Sequence, residues 1–293
     1  SLDTANRKTK RSSGTCEKTL GESYLLTSEN VEAHEKGSGL YFSIRSFVDK
    51  ESSGYGSCVS RMKNKFKFLE ATEHASKIAH MAKGKKTSIS GNFDVLLAPH
   101  AIAAIIDRFA ENASIFSVES GLSCLKNQLG KKLANTQVTL YDDPTLANGY
   151  GATEFDAEGT PTQRTPIIEK GIFKNYLHNA STAKRYKTKS TANAGLISPH
   201  AFSPVLKEGN YSKEEIFKGI KKGIYITNVW YTRFQNHETG DFSTIPRDGA
   251  FYIENGKIKY PLKDIRISEN ILNVMKNISA LGKDLTQIKS WEV

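Results

Sequence analysis

Two glycine-containing turns do most to restrict the folds open to this chain. Asn255-Gly256 lies between residues 250–253 and 257–260, and Lys170-Gly171 lies between residues 166–169 and 172–177. Asn-Gly tolerates the left-handed backbone at both central positions, so it suits the type I′ turn of a two-residue hairpin. Each turn is expected to join neighbouring antiparallel strands. Residues 39–48 add a strand with one covered face. Leu40, Phe42, Ile44 and Ser46/Val48 point one way, and Tyr41, Ser43, Arg45 and Phe47 the other. Gly54-Tyr55-Gly56 reads as a turn into a further strand through Cys58 and Val59. Such hairpins outnumber β-α-β units. The expected fold class is α+β, with mainly antiparallel sheets and flanking helices.

The helices announce themselves by period and by caps. Residues 69–83 place Ala71, Ala75, Ile78, Ala79 and Ala82 on one stripe. His74 and His80 are six apart and face different sides, so a regular helix cannot bring them to one metal. Residues 93–98 read as a buried strand. Pro99 then starts a helix through Ile102, Ile105, Ile106, Phe109 and Ala113. Asn179 or Ser181 caps a short helix to Arg185. Ser212 with Glu215 forms a capping box, and Gly223 is read as the end of that helix. Residues 224–234 read as one strand, and Ser268 as the cap of a last helix through Ile278. The first 22 residues, polar and basic, are expected to be loose.

The 293 residues are 38% hydrophobic and 25% charged, which can bury a large core in one or two domains. No apolar run reaches the ~18 residues of a membrane span. Residues 1–11 lack the apolar stretch of a signal peptide. Cys16, Cys58 and Cys124 lie far apart, which suits reduced thiols and a cytoplasmic setting. Lys and Arg exceed Asp and Glu by 41 to 31. The excess sits in lysine-rich runs such as 83–86 and 184–189 without a recognisable nucleic-acid motif, so solvated faces are expected.

One block departs from what folding needs. Thr227-Asn228-Val229-Trp230-Tyr231-Thr232-Arg233-Phe234 is followed by Thr239-Gly240-Asp241-Phe242 and Pro246-Arg247-Asp248-Gly249. Rigid aromatics and bidentate guanidiniums at this density line binding sites. The alternative is a pair of edge strands joined by a polar turn. Trp230, Tyr231, Arg233, Asp241, Arg247 and Asp248 are the candidate substrate-binding residues.

The order of several motifs resembles the TldD/PmbA (TldD/TldE) metallopeptidase family. They are Phe93-Asp94-Val95-Leu96-Leu97-Ala98-Pro99, Asp142-Asp143-Pro144, Phe155-Asp156-Ala157-Glu158-Gly159-Thr160-Pro161-Thr162, Ile168-Glu169-Lys170-Gly171, Tyr176-Leu177-His178-Asn179, Thr239-Gly240-Asp241-Phe242-Ser243 and Ile253-Glu254-Asn255-Gly256. The resemblance spans about residues 24–290. It implies residues 1–88 as a partial N-terminal α/β domain and 89–293 as the family's β-rich C-terminal domain, within chains longer at both ends. It also implies a cytoplasmic dimer around an inner cavity, where extended peptides add a strand to a sheet. Active members hold zinc with the two histidines of H-E-x-x-x-H and a C-terminal cysteine, and the glutamate activates water.

This chain departs from that motif. Asp107 stands at the first histidine, Arg108 at the glutamate and Asn112 at the second histidine, and residues 288–293 hold no cysteine. Arginine cannot serve as a general base, and Asp with Asn is a poor zinc pair. No catalytic residue and no metal ligand is assigned in this chain. The resemblance implies the TldE/PmbA side of the family: a non-catalytic, peptide-binding subunit, as a homodimer or with a TldD-like partner that carries the zinc. Two alternatives stay open. One is a peptidase with an atypical site assembled from Asp107, His100, His178, His200, His237, Arg233, Asp241, Arg247 and Asp248. The other is a nonspecific nucleic-acid-binding or gyrase-modulating protein drawn by the basic charge.

Overall fold

The computed structural model describes residues 2–88 and 90–289. The chain opens with α1 (Leu2–Lys8) and a meander of β1 (Arg11–Leu26), β2 (Glu32–Phe47) and β3 (Ser53–Ser60), closed by α2 (Phe68–Met81). These strands form one antiparallel sheet in the order β1-β2-β3. The covered face of β2 is the expected one. Phe42 and Ile44 pack with Ala5, Ala71 and Ala75 of the two helices. Residues 2–22 correct the expectation of a loose start, because α1 is helical and β1 pairs with β2 along its whole length. Its polar sequence fits an edge strand, which pairs with one neighbour and leaves its outer backbone groups to water.

Gly54 and Gly56 also correct the sequence reading. The turn lies earlier, where Asp49 accepts from the backbone N–H groups of Glu51 (2.9 Å) and Ser52 (2.7 Å). Both glycines sit inside β3 and let α2 come close. A Cβ on Gly54 would lie 2.0 Å from the Ala75 carbonyl oxygen, and one on Gly56 2.1 Å from that of Ala71.

β4 (Lys86–Thr87) and β5 (Asp94–Leu97) precede α3 (Pro99–Asn112) and α4 (Ile115–Glu119). After a long irregular stretch come β6 (Leu140–Asp142), β7 (Thr165–Glu169), β8 (Ile172–Phe173), α5 (Ala180–Arg185) and β9 (Pro204–Leu206). The chain ends with α6 (Lys213–Gly219), β10 (Lys222–Ile226), β11 (Val229–Asn236), β12 (Asp241–Pro246), β13 (Ala250–Glu254), β14 (Lys257–Lys263), β15 (Ile267–Asn270) and α7 (Ile271–Asn277). Three further sheets result, in the orders β4-β14-β13-β10-β5, β11-β12-β15 and β8-β7-β6-β9. Most pairings are antiparallel, and the class is α+β as expected.

α3 is the element these sheets share. Pro99 occupies its first turn, where a missing N–H costs nothing. Ala101 and Ala104 pack with Ile224 and Ile226 of β10. Ile105, Phe109 and Ala110 turn into a larger core with Leu140, Ile167, Phe173, Phe242 and Met275. The small residues let the five-stranded sheet approach, and the large ones fill the opposite space.

Three boundaries differ from expectation. Residues 224–234 are two strands in two sheets, because Thr227 and Asn228 break away to bond the 247–249 turn. Gly223 lies within β10, and α6 ends at Gly219. Asn270, not Ser268, caps α7 by accepting from Leu272 and Asn273 N–H groups. β5 is not a buried strand but a sheet edge, parallel to β10, with Val95 exposed.

Candidate functional site

The three motif positions follow one another along α3 and make separate contacts. Asp107 and Arg108 are half-buried, and Arg108 Nη1 donates to both carboxylate oxygens of Glu111, at 3.0 and 2.8 Å. Asn112 is only 2% exposed. Its Nδ2 donates to the Arg108 carbonyl (2.9 Å), and its Oδ1 accepts from the Cys124 N–H (3.1 Å). The Ser123 hydroxyl donates to the Asn112 carbonyl at 2.7 Å. Asn112 thus braces the 123–125 loop against the end of α3. Burial pushes the Cys124 thiol up to about 11, which leaves it a neutral core group at pH 7. A carboxylate, a guanidinium and a spent amide do not fit a zinc site. Among the described residues, no three His, Cys, Asp or Glu side chains gather as a metal cluster.

The histidines lie in separate surroundings. His100, in the first turn of α3, has Nε2 2.8 Å from the Ser57 hydroxyl and meets the Tyr55 ring edge-on. Burial pulls its pKa down to about 4, so it is neutral near pH 7. His178 is buried, with Nδ1 3.2 Å from the Thr182 hydroxyl. His200 packs against Phe202, and His237, exposed, against Phe234.

The aromatic block is where the structure gathers side chains. β11 pairs with β12 but slips register between Trp230 and Arg233. Within this bulge Tyr231 adopts φ of 56°, a left-handed conformation unusual for a large side chain. Successive strand residues ordinarily face opposite sides. Here the bulge brings the Trp230 and Tyr231 rings within 5.3 Å of each other. Thr232 points inward instead, its hydroxyl 2.9 Å from that of Thr244, which in turn donates to the Trp230 carbonyl. Arg233 Cζ lies 5.5 Å from the Tyr231 ring centre, and Arg247 Cζ lies 3.5 Å from that of Trp230. Arg247, Trp230, Tyr231 and Arg233 form one surface row, with Tyr231 55% exposed. Cations over desolvated aromatic faces are held by the ring quadrupole.

The two acids leave this row. Asp248 is 1% exposed. Its carboxylate accepts from Arg45 Nε (2.9 Å) and Nη2 (3.1 Å), from the Ser53 hydroxyl (2.7 Å) and from Asn228 Nδ2 (2.7 Å). This buried clamp ties β2 and β3 to the start of β11. Asp241 accepts from the Thr239 hydroxyl and from Asn270 Nδ2, and these contacts hold its carboxyl below the usual range. It steadies the cap of α7. Arg45, Ser53 and Asn228 were not among the candidate residues. The only sequence signal was an arginine in an alternating strand, and its partner lies 203 residues away.

The model of the PmbA/TldA metallopeptidase C-terminal domain matches residues 90–293. A metalloprotease of Methanocaldococcus jannaschii is 31% identical over 265 residues, which cover 87% of this chain and 55% of that protein. Metalloprotease PmbA of Escherichia coli O157:H7 is 32% identical over 187 residues, 64% of this chain and 38% of its own. TldE of Thermococcus kodakarensis has the same fold, with a TM-score of 0.87 at 24% identity over 97% of this chain and 67% of that one. The chain spans 55% and 64% of the length of two M. jannaschii relatives. Motif order, fold and these similarities agree: the chain belongs to the PmbA/TldD metallopeptidase family.

Proposed function

We propose that this chain is a non-catalytic, peptide-binding subunit of a TldD/TldE-type cytoplasmic metalloprotease dimer, with zinc and its ligands supplied by a TldD-like partner. The observation that carries the reading is Asn112. At the position of the second zinc histidine stands a buried amide whose oxygen and nitrogen are both bonded within the chain. Neither atom is left to meet a metal. Arg108, a permanent cation paired with Glu111, cannot take a proton from water at the position of the general base.

The peptide-holding half rests on β11. Among the described residues it pairs with β12 alone and forms an edge of its sheet. An edge offers unpaired backbone donors and acceptors to an extended chain. The row of Trp230, Tyr231, Arg233 and Arg247 lies on and beside that edge, where it can grip side chains while the backbone is held by strand pairing. A left-handed tyrosine costs about 1–3 kcal/mol, and such strain gathers where a binding surface is held in shape.

Metal analysis and co-purification test the reading. The purified chain alone is expected to hold far less than one zinc and to cleave no unfolded protein. A TldD-like partner added to it should form a dimer that cleaves, and chelation should stop the cleavage. About one tightly bound zinc per isolated chain, with peptidase activity lost on chelation, would refute the proposal.

A further inference from the structure

A small cavity of about 110 Å³ opens beside the aromatic row, lined by Lys85, Arg247 and Lys263 together with Asp248 and Asp264. That space admits several water-sized groups. Its charge is unbalanced. Asp248 is already committed to Arg45, Ser53 and Asn228. Asp264, like Arg247 and Lys263, is exposed to solvent at the mouth of the cavity, which leaves three cations facing one uncommitted carboxylate. Among the described residues, Lys85, Arg247 and Lys263 have no carboxylate within ion-pair distance. Lys85 donates to the Glu51 carbonyl at 2.6 Å, a neutral acceptor. Burial holds both the Lys85 ammonium and the Arg247 guanidinium below their usual ranges, and Arg45 adds to the effect on Arg247. Asp248 acts on both in the opposite sense, and Glu51 and Asp49 act so on Lys85, without reversing the shift, so a further anion would favour the charged forms.

Arg247 joins this cavity to the row. It lines the cavity, and its guanidinium also covers the Trp230 ring at 3.5 Å. A segment lying along the edge of β11, over Tyr231 and Trp230, would bring one of its side chains to Arg247 and the mouth of the cavity.

We propose that this basic cavity is a specificity pocket that takes the carboxylate of an acidic residue in a peptide lying over Trp230 and Tyr231. The proposal rests on the peptide-binding reading above and adds the substrate class: extended peptides bearing Asp or Glu. A carboxylate on Arg247 makes charge-assisted, bidentate hydrogen bonds, and Lys85 and Lys263 add charge at its sides. The glutamine analogue of such a peptide keeps the shape and loses the charge.

The test measures binding of two fluorescent eight-residue peptides by anisotropy. Both are rich in Val and Ser, and they differ in one central residue, Glu or Gln. The wild-type chain should bind the Glu peptide at least ~10-fold tighter at low salt, with the advantage shrinking as salt is raised. The double variant Arg247→Gln/Lys263→Gln should cut the ratio below about twofold, by weakening the Glu peptide far more than the Gln peptide. Tyr231→Ala should weaken both peptides alike. Equal wild-type affinity for the two peptides would overturn the pocket and leave the peptide-binding reading standing. Failure to bind either would overturn both. Displacement of the Glu peptide by millimolar inorganic phosphate, but not by glutarate, would identify a phosphate site instead. Tighter, competing binding of single-stranded oligothymidine would overturn the peptide class.

Discussion

Replacing Asp248 with alanine removes the acceptor of four hydrogen bonds at one buried point. Arg45 loses both of its bonds, at 2.9 and 3.1 Å, and Ser53 and Asn228 lose 2.7 Å bonds. Removing one partner of a buried ion pair costs about 3–5 kcal/mol, because the remaining charge stays desolvated. The Arg45 side chain is 21% exposed, so water can reach part of it and the charge component belongs near the lower end. Asn228 is 4% exposed and would be left with a buried unsatisfied N–H, worth about 1–3 kcal/mol. These are overlapping accounts of one deletion, and a total loss of about 3–4 kcal/mol is expected. Urea unfolding followed by intrinsic fluorescence measures it. The double variant Arg45→Met/Asp248→Leu should recover more than ~1.5 kcal/mol relative to the sum of the single changes, since neighbours in one network are not additive. By contrast, Arg247→Ala, on the exposed side of the same turn, should move stability by no more than ~0.5 kcal/mol. A loss below about 1 kcal/mol for Asp248→Ala, or additive single variants, would refute the clamp as the tie between the N-terminal sheet and the rest.

Three further outcomes follow from the same geometry. Gly56→Ala should destabilise by about 1–3 kcal/mol in the same urea assay, because its Cβ would meet the Ala71 carbonyl oxygen at 2.1 Å and α2 must move. His100 has a folded pKa of about 4 against an unfolded value of 6.5. Its contribution is complete above pH 6.5 and is lost as pH falls towards 4, since the unfolded state takes up the proton first. Wild type should lose roughly 3 kcal/mol more than His100→Gln across that window in stability-versus-pH measurements. Asn112→Ala should cost about 1–3 kcal/mol by orphaning the buried Cys124 N–H, and Asn112→Asp should not restore zinc binding in metal analysis.

The proposed subunit would need no zinc of its own to have a task. Asn112 belongs to the core, where it holds the 123–125 loop with both of its polar ends bonded. The row of Arg247, Trp230, Tyr231 and Arg233 lies elsewhere, along β11 and the 246–248 turn. That division suits a subunit whose task is to hold a chain for a partner to cut.

What the sequence determined by itself was whatever a few neighbouring residues decide. Lys170 and Gly171 take φ of 48° and 83°, and Asn255 and Gly256 take 50° and 73°, as type I′ hairpins require. Ser212 and Asn179 form the capping boxes of α6 and α5, and the stripes of α2 and α3 face their cores. Tertiary structure alone decided that Gly54 and Gly56 admit a helix instead of making a turn. It also put Asp248 in a buried clamp and Tyr231 on the same side as Trp230. Each of these depends on groups far away in the chain: the Ala71 and Ala75 carbonyls, the Arg45 guanidinium, the Thr244 hydroxyl. Local backbone preference acts over a turn or two, whereas desolvation and close packing act on whatever folding brings alongside.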